Sequence, residues 1–413
     1  MKILHVTQNY YPSLGGSQHT IKKISEFLTE HYSDKVTVIT TNSYFGPHRY
    51  QFKKISPSEE VINHVKVKRF GFLRLHKKFV KSLGRLYGII FRKPLPTYFT
   101  GIQYGPVSPA LKKAVENEPC DVICASSVHY LFADYPLWRK KTSSPKPFVL
   151  YGALHLHNND ISKSYKKRID AADYYIANTG YEKKYLVTHG IEEDKIKVIG
   201  TATDILDKAD FSVSDEQLKS NYNIPANNKV ISFIGRQEIS KGIPTLLKAF
   251  SLITKKQECL TLVIAGAAGT YSTELEYIVA GNTNILVVTN ITDLQKTEIL
   301  RMSDVLVLPS VEESFGVVFI EAWAFKKPVI GANINAIASL ITNNTDGLLF
   351  LPGNAQDLAE KIEYLLANKA LMHELGNNGY QKFLSNYTWD IVAGRYREVY
   401  ELAIKKFNKP GRA

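Results

Sequence analysis

An α/β fold of two doubly wound, parallel-sheet domains is the class this sequence predicts, on three observations. Short apolar runs rich in Val and Ile alternate with longer stretches of helical periodicity along most of the 413 residues. That is the order that βαβ units produce. The alternation starts twice, at Lys2 and again at Lys229, with a polar stretch, Asp204–Asn228, between the two series. A chain of this length holds about two domains.

The first series reads as strands at Lys2–Thr7, Lys35–Thr40, Val65–Phe70, Asp121–Ala125, Pro147–Leu150, Tyr174–Ala177 and Lys197–Ile199. Amphipathic stretches such as Gln18–His31 lie between them as helices. The second series reads Lys229–Ile234, Leu260–Ala265, Asn284–Val288, Asp304–Leu308, Pro328–Ile330 and Gly347–Phe350, with helices such as Thr245–Thr254 and Asp357–Ala367. The expected domains are residues 1–205 and 206–388, two Rossmann-like halves facing each other across a cleft. Ligands in such sheets bind at the C-terminal ends of the strands.

Composition removes other classes. Hydrophobic residues are 44% and charged residues 22%, which excludes a disordered chain. Gly and Pro, 25 and 17, are too few for a collagen-like or low-complexity protein. Cys120, Cys124 and Cys259 cannot form a disulfide framework and are expected to be reduced core residues. No stretch approaches the ~18 apolar residues of a membrane span. The apolar start turns polar at Gln8-Asn9, too early for a signal peptide, so a cytoplasmic location is expected.

The net charge is +13, and its placement is uneven. Val61 to Val115 contains no Asp or Glu but twelve cations: Lys66, Lys68, Arg69, Arg74, Lys77, Lys78, Lys81, Arg85, Arg92, Lys93, Lys112 and Lys113. Such a run attracts phosphates. Within it, Phe72, Leu75, Phe79, Leu83, Leu86 and Ile90 recur at helical spacing, with cations on another face. A basic amphipathic helix suits an anionic membrane surface, with contact through 66–93 and a peripheral position on the inner face. The alternative is a helix packing its apolar stripe on the sheet. No nucleic-acid motif accompanies the charge.

Three motifs carry chemistry. Leu308-Pro309-Ser310 ends a strand. A loop with Glu313, Phe315 and Gly316 follows, and then a helix, Val317–Phe325, apolar all round except at Glu321. A buried carboxylate needs donors. Ribose hydroxyls would serve Glu321, and so would a buried Lys or Arg. Free N–H groups near Phe315, Gly316 and Val317 suit a phosphate or a developing anion. In the second motif, Gly235-Arg236 and Lys241-Gly242 flank a loop, a fork-shaped and a point cation suited to a diphosphate, or merely two surface cations. Third, Tyr11-Pro-Ser-Leu-Gly15-Gly16 joins the first strand to the first helix. It is not a GxGxxG fingerprint, and it reads either as an anion site or as a plain turn.

In this order, the Glu313-x7-Glu321 spacing, the Gly-Arg-x4-Lys-Gly run, the Pro-Ser strand end and the N-terminal Gly-Gly loop resemble a retaining glycosyltransferase of the GT-B fold, family 4 (glycosyl transferases group 1). The likeness spans nearly the whole chain. Asn343–Phe350 and Tyr387-Thr-Trp389 fit it as well. The resemblance implies that Arg236, Lys241 and Gly16 bind the donor diphosphate. It implies that Glu313 touches the donor sugar beside the amides of Phe315, Gly316 and Val317, and that Glu321 holds the ribose. The base pocket falls near Thr289–Ile291, with Ile291 the named residue. A helix in 389–413, about Asp390–Lys406, is implied to cross back onto the first domain. A histidine after a first-domain strand belongs near the reacting sugar. His155 is the candidate and His157 the runner-up.

The chain departs from the family pattern at Gln18, at Gly200–Asp204 and at Asn335–Ser339, changes that leave the core donor site intact and make the acceptor and sugar identity unreadable. The expected activity is transfer of a sugar, with retention, from a UDP- or GDP-linked donor to a hydroxyl of a lipid-linked or cell-surface glycan precursor. The donor is a co-substrate, and no cofactor is expected. The sequence has no Asp-x-Asp, so no metal is expected either. An epimerase or hydrolase of nucleotide sugars, and a non-catalytic anionic-surface binder, are the alternatives.

Overall fold

The computed structural model describes residues 1–13, 15–45, 52–72, 77–93, 107–126, 133–140, 144–152, 154, 161, 163–256 and 258–409. Two compact units share the chain. Unit 1 is Met1–Ile199 with Val392–Ala413, and unit 2 is Gly200–Ile391. Each is a doubly wound α/β domain, the class expected from the sequence.

Unit 1 contains β1 (Lys2–Val6), α1 (Gly16–Tyr32), β2 (Lys35–Thr41), β3 (Ser43–Phe45), β4 (Phe52–Lys54), β5 (Glu59–Ile62), β6 (Val65–Phe70), α2 (Lys77–Phe91), α3 (Pro109–Asn117), β7 (Val122–Ser126), α4 (Asp134–Arg139), β8 (Phe148–Tyr151), α5 (Lys163–Ala171), β9 (Tyr174–Ala177), α6 (Gly180–Thr188) and β10 (Ile196–Val198). Its sheet runs β10-β9-β8-β7-β1-β2-β6-β5. The pairs are parallel except β5 with β6. Strands β3, β4 and β5 were not expected. Strand β5 caps an edge through Glu59–Ile62, and β3 pairs with β4.

Unit 2 contains α7 (Asp215–Asn221), β11 (Lys229–Ile234), α8 (Ile243–Thr254), β12 (Leu260–Gly266), α9 (Ser272–Val279), β13 (Ile285–Thr289), α10 (Asp293–Met302), β14 (Val305–Leu308), α11 (Val317–Ala324), β15 (Val329–Ala332), α12 (Asn335–Leu340), β16 (Leu348–Phe350), α13 (Ala355–Ala367) and α14 (Lys369–Asn386). Its sheet order is β13-β12-β11-β14-β15-β16, all parallel. Strand order reverses between β11 and β14, and in unit 1 between β1 and β7. A crevice opens at such switch points, beyond the carboxyl ends of the strands. Every residue of β7, β8, β12 and β14 is buried, as strands covered on both faces require.

The final helix, α15 (Trp389–Phe407), belongs to unit 1 from Val392 onward. There Arg397 Nε donates to Asp34 Oδ2 at 3.0 Å. His5 Nε2 lies 3.0 Å from the Tyr400 hydroxyl, and His5 Nδ1 lies 2.7 Å from Ser25 Oγ. The Tyr151 and Tyr396 rings meet edge to face at 5.9 Å.

Two buried groups in unit 1 titrate with opposite consequences. Burial lowers the His5 imidazole from 6.5 to about 3, so the folded protein keeps it neutral. Burial raises the Glu182 carboxyl from 4.5 to about 7, although Tyr175 Oη–H (2.6 Å) and the Asn178 N–H (2.7 Å) donate to it. As pH falls below 6.5, the unfolded chain protonates His5 and the native state does not, so stability is lost by up to about 1.4 kcal/mol per pH unit. As pH falls from 7 toward 4.5, the native state protonates Glu182 before the unfolded chain does, and stability is gained. The two slopes oppose each other between 4.5 and 6.5. Denaturant unfolding followed from pH 6.5 to 4.5 should therefore show Glu182→Gln losing stability relative to wild type as pH falls, and His5→Asn gaining it. Parallel curves for all three proteins would contradict this assignment.

Candidate active site

At the switch point of unit 2, two loops are locked together by close backbone contact. Strand β11 ends at Ile234, and the Gly235 N–H donates to Ala265 O at 2.9 Å. Gly266 has φ +140°, and a Cβ there would sit 1.9 Å from Gly235 O, so only glycine fits. Gln237 is fully buried and fixed on both sides. Its backbone N–H donates to Ala267 O at 3.0 Å and its Nε2 to Thr289 Oγ1 at 3.1 Å. A 3₁₀ turn, Ile239–Lys241, follows, and Gly242 reverses the chain at φ +75°. A Cβ on Gly242 would lie 2.0 Å from Pro309 O. The Val311 N–H donates to Ser240 O at 3.0 Å. The loop after β11 thus lies directly on the loop after β14.

That seating places the expected residues. Lys241 Nζ donates to Glu313 Oε1 at 2.6 Å, and the buried Ser310 hydroxyl donates to the same oxygen at 3.1 Å. Glu313 is therefore held in place, with its side chain 14% exposed, and is not a solvated loop carboxylate. Arg236, at the end of β11, is exposed, and its Nη1 meets Glu238 Oε1 at 2.7 Å. Gly316, at φ +89°, starts α11, and a Cβ there would strike the Phe319 ring at 2.7 Å. Phe315 is buried against Tyr387, ring centroids 5.7 Å apart. The N–H groups of Gly316 and Val317 stand at the positive end of this helix.

Glu321 is buried, as its apolar helix predicted, and its Oε1 accepts from Lys296 Nζ at 2.6 Å. Of the two partners considered for it, the described structure supplies the cation. Lys296 escaped notice in the sequence because it sits in an amphipathic stretch 25 positions away and reads as a solvated helix residue. Ile291 is half-buried at the end of β13. Before it, the left-handed Asn290 donates its N–H to Gly266 O at 2.6 Å and accepts from the Ala268 N–H at 3.0 Å. After it, Thr292 and Gln295 form a capping box on α10.

In unit 1, Gly16 opens α1 just beyond β1, and a Cβ there would meet nothing within 4 Å. Its own packing does not demand glycine. The approach to it is held by Arg69, whose Nη2 donates to Tyr11 O at 2.8 Å while Nη1 pairs with Glu60. His155 and His157 lie outside the described residues. Their segment leaves β8 through Gly152, where a Cβ would fall 1.6 Å from the Tyr175 hydroxyl that donates to Glu182.

The basic run needs correction in part. Arg69 is a buried structural residue, not a surface cation. Lys66, Lys68 and Lys112 pair with Glu59, Glu118 and Glu116, carboxylates just outside the run and invisible to a count within it. The asymmetry persists all the same, since unit 1 holds 37 of the 52 Lys and Arg and only 18 of the 39 Asp and Glu. On α2 the apolar stripe faces outward. Phe79, Leu86, Ile89, Ile90 and Phe91 are each more than half exposed. No helix among the described residues is long and apolar enough to cross a membrane.

Two family models match this chain. Glycosyltransferase Family 4 matches residues 14–205, and Glycosyl transferases group 1 matches residues 214–382. Among curated proteins, the capsular polysaccharide biosynthesis glycosyltransferase CapM of Staphylococcus aureus is 26% identical over 57% of this chain and 63% of its own length. A D-inositol 3-phosphate glycosyltransferase of Rhodococcus jostii is 26% identical over 57% and 54%. The chain thus spans somewhat over half the length of these relatives. Among solved structures, sucrose-phosphate synthase from Thermosynechococcus elongatus superposes with TM-score 0.72 at 17% identity, over 98% of this chain and 100% of that one. HepE of Anabaena, in complex with UDP and glucose, gives 0.70 at 18%, over 97% and 100%. Both share the GT-B fold. With the two family models covering its two units in turn, the chain belongs to glycosyltransferase family 4, glycosyl transferases group 1.

The backbone seat under Lys241 is open to a direct check. Gly242→Ala introduces both a left-handed Cβ and a clash with Pro309 O, whereas Gly353→Ala shares φ +75° and meets nothing within 4 Å. Gly353→Ala should cost about 1 kcal/mol, and Gly242→Ala distinctly more, seen as a larger drop in Tm. Equal drops would mean that the two loops are not seated as described.

Proposed function

We propose that this member of glycosyltransferase family 4 transfers a sugar, with retention, from a UDP- or GDP-linked donor to a hydroxyl acceptor. The observation that carries the reading is the convergence of Lys241, Glu313 and Ser310, with Arg236 nearby, at the switch point of unit 2. The HepE structure, captured with UDP and glucose, supports a nucleotide-sugar donor. Arg236 and Lys241 bind the diphosphate. Glu321, oriented by Lys296, accepts from ribose hydroxyls, and Ile291 borders the base.

In the transfer step the bond between the anomeric carbon and the diphosphate oxygen breaks, and a bond to the acceptor oxygen forms on the same face. The acceptor proton passes to the departing phosphate oxygen. Negative charge grows on the diphosphate, where Arg236, Lys241 and the N–H groups of Gly316 and Val317 stabilise it without a bound metal. Such preorganised donors contribute several kcal/mol. Glu313 and His155 act at the sugar. Glu313 supplies a fixed acceptor, already held by Ser310, once the diphosphate takes Lys241.

The acceptor is a lipid-linked or cell-surface glycan precursor at the inner face of the membrane, reached through the outward apolar stripe and surplus positive charge of unit 1.

Calorimetric titration with UDP and GDP tests the donor site. Arg236→Ala should weaken whichever nucleotide binds by about tenfold or more, as loss of a charge-assisted contact requires. An unchanged Kd would remove the site. For the acceptor side, changing Phe79, Leu86 and Ile90 together to Ser should lower pelleting with anionic liposomes about fivefold or more while leaving Tm unchanged, since all three side chains are exposed. Undiminished pelleting would remove the membrane contact.

A further inference from the structure

We infer that Glu238 is an affinity-determining counter-ion that competes with the donor diphosphate for Arg236. The inference rests on the donor site proposed above and adds a residue to which no role has been given. Glu238 precedes the 3₁₀ turn Ile239–Lys241, the position from which a side chain caps a helical start. Its carboxylate makes no capping bond there. Its backbone is bonded locally: its N–H donates to Arg236 O at 2.8 Å, and its carbonyl accepts from the Lys241 N–H at 3.0 Å. The carboxylate is directed back to Arg236, and Oε1 receives Nη1 at 2.7 Å. The carboxylate therefore does not build the loop, which is held by Gln237, Gly242 and Gly266 instead.

The pair is placed where a ligand can exchange for it. Arg236 has 45% of its side chain exposed and Glu238 24%. An ion pair so open to water is worth at most about 1 kcal/mol, within reach of a ligand carrying more than one negative charge. The companion cation, Lys241, is likewise neutralised, but by Glu313, which the sugar itself needs. Among the described residues no ion pair joins Glu238 to Lys241, and its charge occupies Arg236 and repels a diphosphate. The consequence is a donor site tuned to moderate affinity, so that the nucleoside diphosphate product departs after each turnover.

The experiment is calorimetric titration of full-length wild type, Glu238→Gln and Arg236→Ala with UDP and GDP, and with UMP and GMP as controls, at low salt and again at 0.5 M NaCl. Glu238→Gln should bind the diphosphate about three- to tenfold more tightly at low salt, with the gain shrinking at high salt and nearly absent for the monophosphate. Unchanged diphosphate affinity would overturn the inference. So would weaker binding, since it would make Glu238 a support that orients Arg236. If Arg236→Ala binds as well as wild type, the donor site falls and the inference falls with it. If Arg236→Ala binds worse and Glu238→Gln does not bind better, the inference alone fails.

Discussion

The contact of Gly242 against Pro309 is the constraint on which the candidate site of unit 2 depends. Strands β11 and β14 are neighbours in the sheet, but their loops leave in sequence more than 60 residues apart. Those loops are registered by backbone meeting backbone, at a place where a single methyl group would intrude on a carbonyl oxygen. The bond from Val311 to Ser240 fixes the same junction. With the loops so seated, Lys241 reaches Glu313 in the loop after β14. The switch of strand order supplies the crevice, and the glycines let the chain approach closely enough to line it with charge.

Charge pairing is the second theme. Each acidic or basic side chain expected at the donor site has a partner of opposite sign within unit 2: Arg236 with Glu238, Lys241 with Glu313, and Glu321 with Lys296. Burying any of these alone would be costly, most of all Glu321 on its apolar helix. The pairing gives every one of these charges a partner of opposite sign within unit 2.

Much of this was legible in the sequence. Strands such as β6, β9 and β11 run as β-branched or aromatic segments at the residues read, and Glu321 announced itself as the one charge on an apolar helix. Strands β3, β4 and β5 were missed because no apolar run marks them: β4 is Phe52 followed by two lysines, and β5 opens on Glu59 and Glu60. The misjudged residues share a cause. Arg69 looked like one more surface cation, yet Glu60 and the Tyr11 carbonyl enclose it. Lys296 was not singled out, yet it lies beside Glu321. Partners that meet only through sheet order leave no mark on local spacing, so a lone charge read along the chain carries no sign of whether it is buried and paired.

The account is tested most directly by a crystal structure of the protein with bound UDP or GDP. The diphosphate should lie within hydrogen-bond distance of Arg236 and Lys241, with Lys241 drawn off Glu313 and the ribose hydroxyls turned toward Glu321. A nucleotide bound elsewhere, with the Lys241–Glu313 pair intact, would contradict it.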